Sequence, residues 1–190
     1  MIVNGAAEGM LVLNAQYWGR RDVDAIKKVI AIALRVCVTA GIIMMLATLI
    51  FPRQLMLMLI KDEAVIEEGM KYMQVMSFSY IIFCVSNVLI SALRGIENVK
   101  LGTAISLCTL VVNVSLNYLL IFDHVGLPQI AGTYGAAIAT LAARVAELVI
   151  VVWYVLKKEN VLKFRLRDAL HFDRTLTGDF FRAALPVMAT

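Results

Sequence analysis

Chemically versatile side chains are scarce in these 190 residues, which include two histidines, three cysteines and three prolines. His124 and His171 fall in polar stretches without metal-ligand companions, and there is no phosphate-binding glycine loop, H-E-x-x-H or nucleophile elbow. Enzyme chemistry and a resident cofactor are therefore not expected. Cys37, Cys84 and Cys108 form no C-x-x-C pair and no metal-ligand spacing. All three sit inside apolar runs, so they read as buried small apolar residues.

Charge is also sparse. Charged residues are 17% of the chain and apolar residues 61%, with a mean hydropathy of +0.83. Soluble globular domains use roughly 45–50% apolar residues, so the sequence reads as a membrane protein. Runs with almost no charge and about the length a helix needs to cross hydrocarbon occur at 30–51, 72–93, 101–122 and 133–156. The 2–18 segment is apolar but short and carries Glu8, without the basic leader and cleavage site of a signal peptide. A new apolar segment opens at residue 180. These ends suggest an internal piece of a longer polytopic chain.

The few charges alternate between connections. The 19–29, 94–100 and 157–179 connections are rich in Lys and Arg, whereas 52–71 mixes both signs and 123–132 has neither Lys nor Arg. The positive-inside rule places the first three in the cytoplasm. The basic pI of about 9.1 then reflects topology and contact with anionic lipid, not nucleic-acid binding. Residues 157–179 mix apolar with basic positions, as an amphipathic segment on the inner leaflet does. The short 54–60 stretch after Pro52 is expected to be an outer-surface segment that continues the preceding helix or lies in the interface.

Polar residues within the spans recur at helical spacing. Ser77, Tyr80, Cys84, Asn87 and Ser91 share one face of the second span, and Thr109, Asn113 and Asn117 one face of the third. Thr133, Thr140, Arg144 and Glu147 stripe the fourth, and Arg35 and Thr39 the first. One reading is interhelical hydrogen bonding, worth roughly 0.6 kcal/mol per pair on average. The other is a coupling-ion site, because grouped carboxamide and hydroxyl oxygens suit a hard cation such as Na⁺. Arg144 and Glu147 would each cost about 2.5–3.5 kcal/mol at mid-membrane, but at i, i+3 they can neutralise one another. Arg35 sits near the cytoplasmic end of its span, where its stem can carry the charge to the interface. Small residues at Gly5 and Gly9, and from Gly132 to Ala143, form ridges that permit close helix approach.

Several segments in order resemble the multidrug and toxic compound extrusion (MATE) family. "NAQYWGRRD" (14–22) is similar to the end of that family's second helix. "FPRQLMLMLIKDEAVIEEGMKYMQV" (51–75) is similar to its loop between helices three and four, and "ALRGIENVKLG" (92–102) to the turn between helices four and five. "VVNVSLNYLLIF" (111–122) resembles helix five, "GLPQIAGTYGAAIAT" (126–140) leads into helix six, and "FFRAALPVMAT" (180–190) resembles the opening of helix seven.

The resemblance implies an all-α polytopic membrane protein: a partial six-helix lobe of a twelve-helix bundle, running from the end of helix two to the start of helix seven. Residues 1–156 would form the partial amino-terminal lobe, 157–179 a cytoplasmic linker and 180–190 the start of the second lobe. It implies export of organic cations and drugs in exchange for Na⁺ or H⁺. It also makes the rest of the chain (helix one and the second lobe) and the lipid bilayer the partners, with no nucleic acid. By position, Asn87, Asn113, Asn117 and Thr140 match the family's coupling-ion site, with Na⁺ the metal expected at Asn113, Asn117 and Thr140. Some members carry Asp where this chain has Asn117, and the family's acidic residue on helix one lies outside this chain. Arg144, Glu147 and Arg35 are secondary candidates. The alternatives are a lipid-linked oligosaccharide flippase of the same superfamily and a membrane subunit that transports nothing.

Overall fold

The computed structural model describes residues 2–58, 60–121, 132–157 and 174–188. The 157–179 linker beyond Lys157 up to residue 173, the 122–131 connection and both histidines lie outside the described residues. Among the described residues all regular structure is helical: α1 (Ile2–Gly19), α2 (Val23–Ile50), α3 (Pro52–Leu57), α4 (Glu63–Gly95), α5 (Val99–Ile121), α6 (Thr133–Lys157) and α7 (Arg174–Met188). Helices α2, α4, α5 and α6 are long and apolar enough to cross a membrane, which matches the four expected spans.

Local chemistry sets the helix ends. The side chain of Asp22 caps α2 by accepting from Ala25 N at 3.0 Å, and that of Asp62 caps α4 by accepting from Ala64 N at 3.0 Å. Both helices therefore begin earlier than their apolar runs, because the polar first turns extend beyond the hydrocarbon. Pro52 starts α3, where its missing N–H costs nothing. The stretch after Pro52 accordingly does not continue α2: α2 stops at Ile50, and a separate short helix follows.

The turns α1–α2 and α4–α5 are built alike. Asp22 N donates to Tyr17 O (3.0 Å) and Arg21 N to Trp18 O (2.9 Å), with Arg21 left-handed at φ 56°. Asn98 N donates to Leu93 O (3.0 Å) and Glu97 N to Arg94 O (3.2 Å), with Glu97 left-handed at φ 66°. Each is a Schellman closure with a charged residue in the position usually taken by glycine. Asn98 Nδ2 also donates to Tyr154 Oη at 3.3 Å, tying the α4–α5 turn to the end of α6. Gly95 packs on Asn14 so closely that a Cβ would meet Asn14 Cβ at 2.8 Å, which brings the ends of α4 and α1 together. The two described basic turns and the end of α6 thus gather at one end of the bundle, in keeping with the alternation of charge.

The apolar core belongs to that same end. It joins Met10 and Leu13 of α1, Ile26 and Ile30 of α2, Val88 and Leu93 of α4, Ile105 of α5, Val151 and Val155 of α6, and Phe180 of α7. α4 is central, packing against α1, α2, α5 and α6, while α5 leans mainly on α6. On α6 the buried row Gly135, Ala139, Ala143, Glu147, Val151 and Val155 steps by four, confirming the small-residue ridge and placing Glu147 in line with it. Gly9 faces Ala184, whose Cα would lie 2.6 Å from an added Cβ, so α1 and α7 approach closely. Cys37 and Cys84 are buried as expected, but Cys108 is exposed. It shares α5 with exposed Leu107, Leu110, Val111 and Val114, an apolar surface suited to lipid.

Candidate functional site

Two polar features lie in the half of the bundle away from the basic turns. The first is a ladder on α5 and α6. Asn117 Nδ2 donates to Asn113 Oδ1 and to Asn113 O, each at 3.0 Å. Asn113 Nδ2 donates across to Thr140 Oγ1 at 3.5 Å, and Thr140 Oγ1 donates to Ala136 O at 2.9 Å. The i, i+4 spacing of the two asparagines makes this possible, since it stacks one carboxamide over the next. The ladder brings together three of the four residues singled out in the sequence.

The fourth goes elsewhere. Asn87 Nδ2 donates to Asn4 Oδ1 of α1 at 3.2 Å. It therefore ties α4 to α1, and neither its stripe on the second span nor the resemblance that grouped it with Asn113 pointed to this partner. Asn4 went unnoticed because it lies in a segment whose apolar composition dominated the reading. The hydroxyls of the stripes are also accounted for differently than expected. Ser77 and Thr109 donate to Gln74 O (2.7 Å) and Ile105 O (2.9 Å), within their own helices. They do not act as bonds between helices through these contacts; their protons are satisfied one turn back.

The second feature is a cavity of about 710 Å³ between α1, α2, α4 and α6. Its wall is largely apolar, with Ile43, Met44 and Met76 beside the aromatic rings of Tyr80 and Phe83. Polar edges come from Asn4, Ser79, Thr140 and Arg144. Tyr80 and Cys84 of the α4 stripe do face it, whereas Phe83 carried no signal in a sequence reading that looked for polar side chains. Gly41 also lines it, and a Cβ there would lie 2.9 Å from Cys84 Sγ, so α2 and α4 approach closely at the cavity wall.

Arg144 and Glu147 pair as their spacing suggested, with Nη1 to Oε2 at 2.8 Å. The side chain of Arg144 is 35% exposed and that of Glu147 only 7%. Arg144 Cζ also stands 4.9 Å from the Phe83 ring centroid, a cation–π contact between α6 and α4. Arg35 is half-buried in α2, its backbone carbonyl accepting from Thr39 Oγ1 at 2.7 Å, and it is not part of the cavity wall. Among the described residues no group of three or more His, Cys, Asp and Glu could hold a metal ion, and the ladder itself offers neutral oxygens. In the ladder Asn113 Oδ1 and Thr140 Oγ1 each already accept from one amide, and an ion binding to them would compete with those donors for the oxygens.

Comparison with known proteins places this arrangement. Over 188 residues the chain is 24% identical to a protein described as a probable multidrug resistance protein YoeA of Bacillus subtilis (strain 168), covering 96% of this chain and 40% of that protein. It is 26% identical over 169 residues to a probable multidrug resistance protein NorM of Rhizobium meliloti (strain 1021), covering 86% of this chain and 34% of that one. The chain thus spans about two fifths or less of the length of these relatives. Its fold matches the inward-facing form of a multidrug resistance MATE transporter of the MOP superfamily, with a TM-score of 0.86 at 21% identity, over 98% of this chain and 41% of that one. It also matches an outward-facing form, with a TM-score of 0.81 at 22% identity, over 99% of this chain and 41% of that one. Residues 1–119 match the family model MatE, and the chain belongs to that family, the MATE family its segments resemble.

Proposed function

We propose that this chain supplies part of the amino-terminal lobe of a secondary active antiporter, which exports a small amphiphilic organic compound in exchange for Na⁺ or H⁺ by alternating access. The observation that carries the reading is the double role of Thr140, which is the α6 end of the asparagine ladder and also part of the cavity wall. An ion drawn to Asn113 Oδ1 and Thr140 Oγ1 would compete with the amide that joins α5 to α6. Ion occupancy would then change the spacing of those helices and the wall of the cavity together. The relatives' printed description as probable multidrug resistance proteins agrees with an apolar, methionine- and aromatic-lined cavity within the 300–1,000 Å³ typical of small-molecule sites.

Asn87 contributes indirectly in this reading, by holding Asn4 at the cavity edge. Lipid-linked oligosaccharide flippase activity would call for several cations in the cavity, and among the described residues Arg144 is the one charged side chain lining it. The test is dye efflux from vesicles containing the complete transporter, with a Na⁺ or a pH gradient imposed in turn. Efflux that follows one of these gradients is the expected result. Absence of dye movement under either gradient would instead favour a membrane subunit that transports nothing.

A further inference from the structure

One acidic side chain within the helices belongs neither to the ladder nor to the cavity wall. Asn4, Glu8, Val12 and Gln16 step by four along α1 and all four are exposed, whereas Ala6, Met10 and Leu13 on the other side are buried in the core. Glu8 stands eleven residues before Gly19, where α1 ends, so it lies about 16 Å along the axis from the basic turn. The headgroup layer is only about 5–8 Å deep, and the short glutamate stem cannot return its carboxylate to it. Hydrocarbon is therefore a costly surrounding for Glu8. Among the described residues it forms no hydrogen bond or ion pair. The elements packed against α1 carry Arg35 and Cys37 (α2), Cys84 and Arg94 (α4), and Asp179 and Arg182 (α7) in this part of the bundle, and none of them pairs with it.

The row joins two places already described. Helical side chains lean toward the start of their helix, which sets the Glu8 carboxyl over the turn of Asn4, and Asn4 is part of the cavity wall. In the other direction Gln16 stands two turns on, about 12 Å away and one turn short of Arg20 in the basic turn. That gap is too wide for a direct bond, so water has to fill it. Glu8 is the one member of the row that can both accept and donate a proton as a carboxyl; the amides and Val12 cannot. We propose that Glu8 is a proton relay on a hydrated path along α1, which joins the cavity to the water beyond the basic turns. Its carboxylate takes a proton from water at one end of the path, becomes the neutral acid, and returns that proton to water at the other end. The relay uses no residue of the ladder, and it rests on H⁺ being an ion exchanged by the antiporter described above.

Two measurements on the complete transporter need no gradient. In proteoliposomes, Glu8→Cys and Gln16→Cys should react with a charged, membrane-impermeant methanethiosulfonate about tenfold faster than Leu110→Cys on the exposed apolar face of α5, because only a hydrated thiol ionises readily. A Glu8→Cys protein as slow as Leu110→Cys would mean that lipid or the rest of the chain covers the row, and would overturn the proposal. In detergent, the infrared band of neutral carboxyl groups should grow as pH falls, with a pH-dependent part that Glu8→Gln removes and Glu8→Asp retains. Identical titrations of the unaltered protein and Glu8→Gln would overturn it equally. Dye efflux driven by a pH gradient is the third measurement. It should fall about tenfold or more in Glu8→Gln at equal insertion and recover in part in Glu8→Asp. A hydrated, titrating Glu8 without efflux under either gradient refutes only the transport reading. Efflux that follows Na⁺ alone, or pH-driven efflux untouched by Glu8→Gln, refutes only the relay.

Discussion

At the scale of single residues, Thr140 has the most consequential position, because one hydroxyl accepts from Asn113, donates to Ala136 O and faces the cavity. Thr140→Val keeps the shape and removes the acceptor. The α5–α6 bond should be lost at a cost of about 0.6 kcal/mol, the average for a membrane hydrogen bond. A double-mutant cycle with Asn113→Leu, read by reversible unfolding of the complete protein, should give a coupling of that order; zero coupling would mean that the bond contributes nothing. Sequence spacing revealed the Asn113–Asn117 step of the ladder because the two are a local i, i+4 pair, and Arg144 with Glu147 because they are i, i+3; Thr140 was joined to the ladder only through the resemblance. It did not reveal Asn4, which meets Asn87 from 83 positions away, nor Phe83, whose role depends on where α6 lies. Burial of Cys108 was wrongly expected because an apolar run looks the same whether it faces protein or lipid.

At the scale of elements, the four spans were legible from length and hydropathy, and their ends were legible only in part. The caps Asp22 and Asp62 stand well outside the apolar runs, so hydropathy alone places the helix starts too late. The Schellman turns were not visible at all, since neither Arg21 nor Glu97 is a residue that normally announces a left-handed position. That mismatch carries a cost of roughly 1–2 kcal/mol for a non-glycine residue. Glu97→Gly should therefore stabilise the α4–α5 turn by about 1 kcal/mol, allowing for the added freedom of glycine in the unfolded chain. A rise in the thermal midpoint of the complete protein would show this. A fall would mean that the Glu97 side chain contributes more than its backbone costs.

At the scale of the whole molecule, two properties established separately coincide. The basic connections mark one end of the bundle, and the apolar core fills that same end, while the cavity and the ladder occupy the other half. α4 links the two halves, supplying Val88 and Leu93 to the core and Tyr80 and Phe83 to the cavity. On the proposed reading, such a lobe packs its core where its helices make the basic turns and leaves a cavity where cargo and ion would meet. The positive-inside pattern could give the first of these, because charge is countable along the chain. The second required the crossing of α2 and α4 at Gly41, which no linear pattern reports. The claim that joins ion to cargo is tested most directly by gradient-driven dye efflux from vesicles carrying the complete transporter with Asn113→Leu, measured beside the unaltered protein and normalised to the amount inserted. Loss of gradient-driven efflux with normal insertion is the expected result, and efflux equal to that of the unaltered protein would contradict the assignment of the ladder as the coupling site.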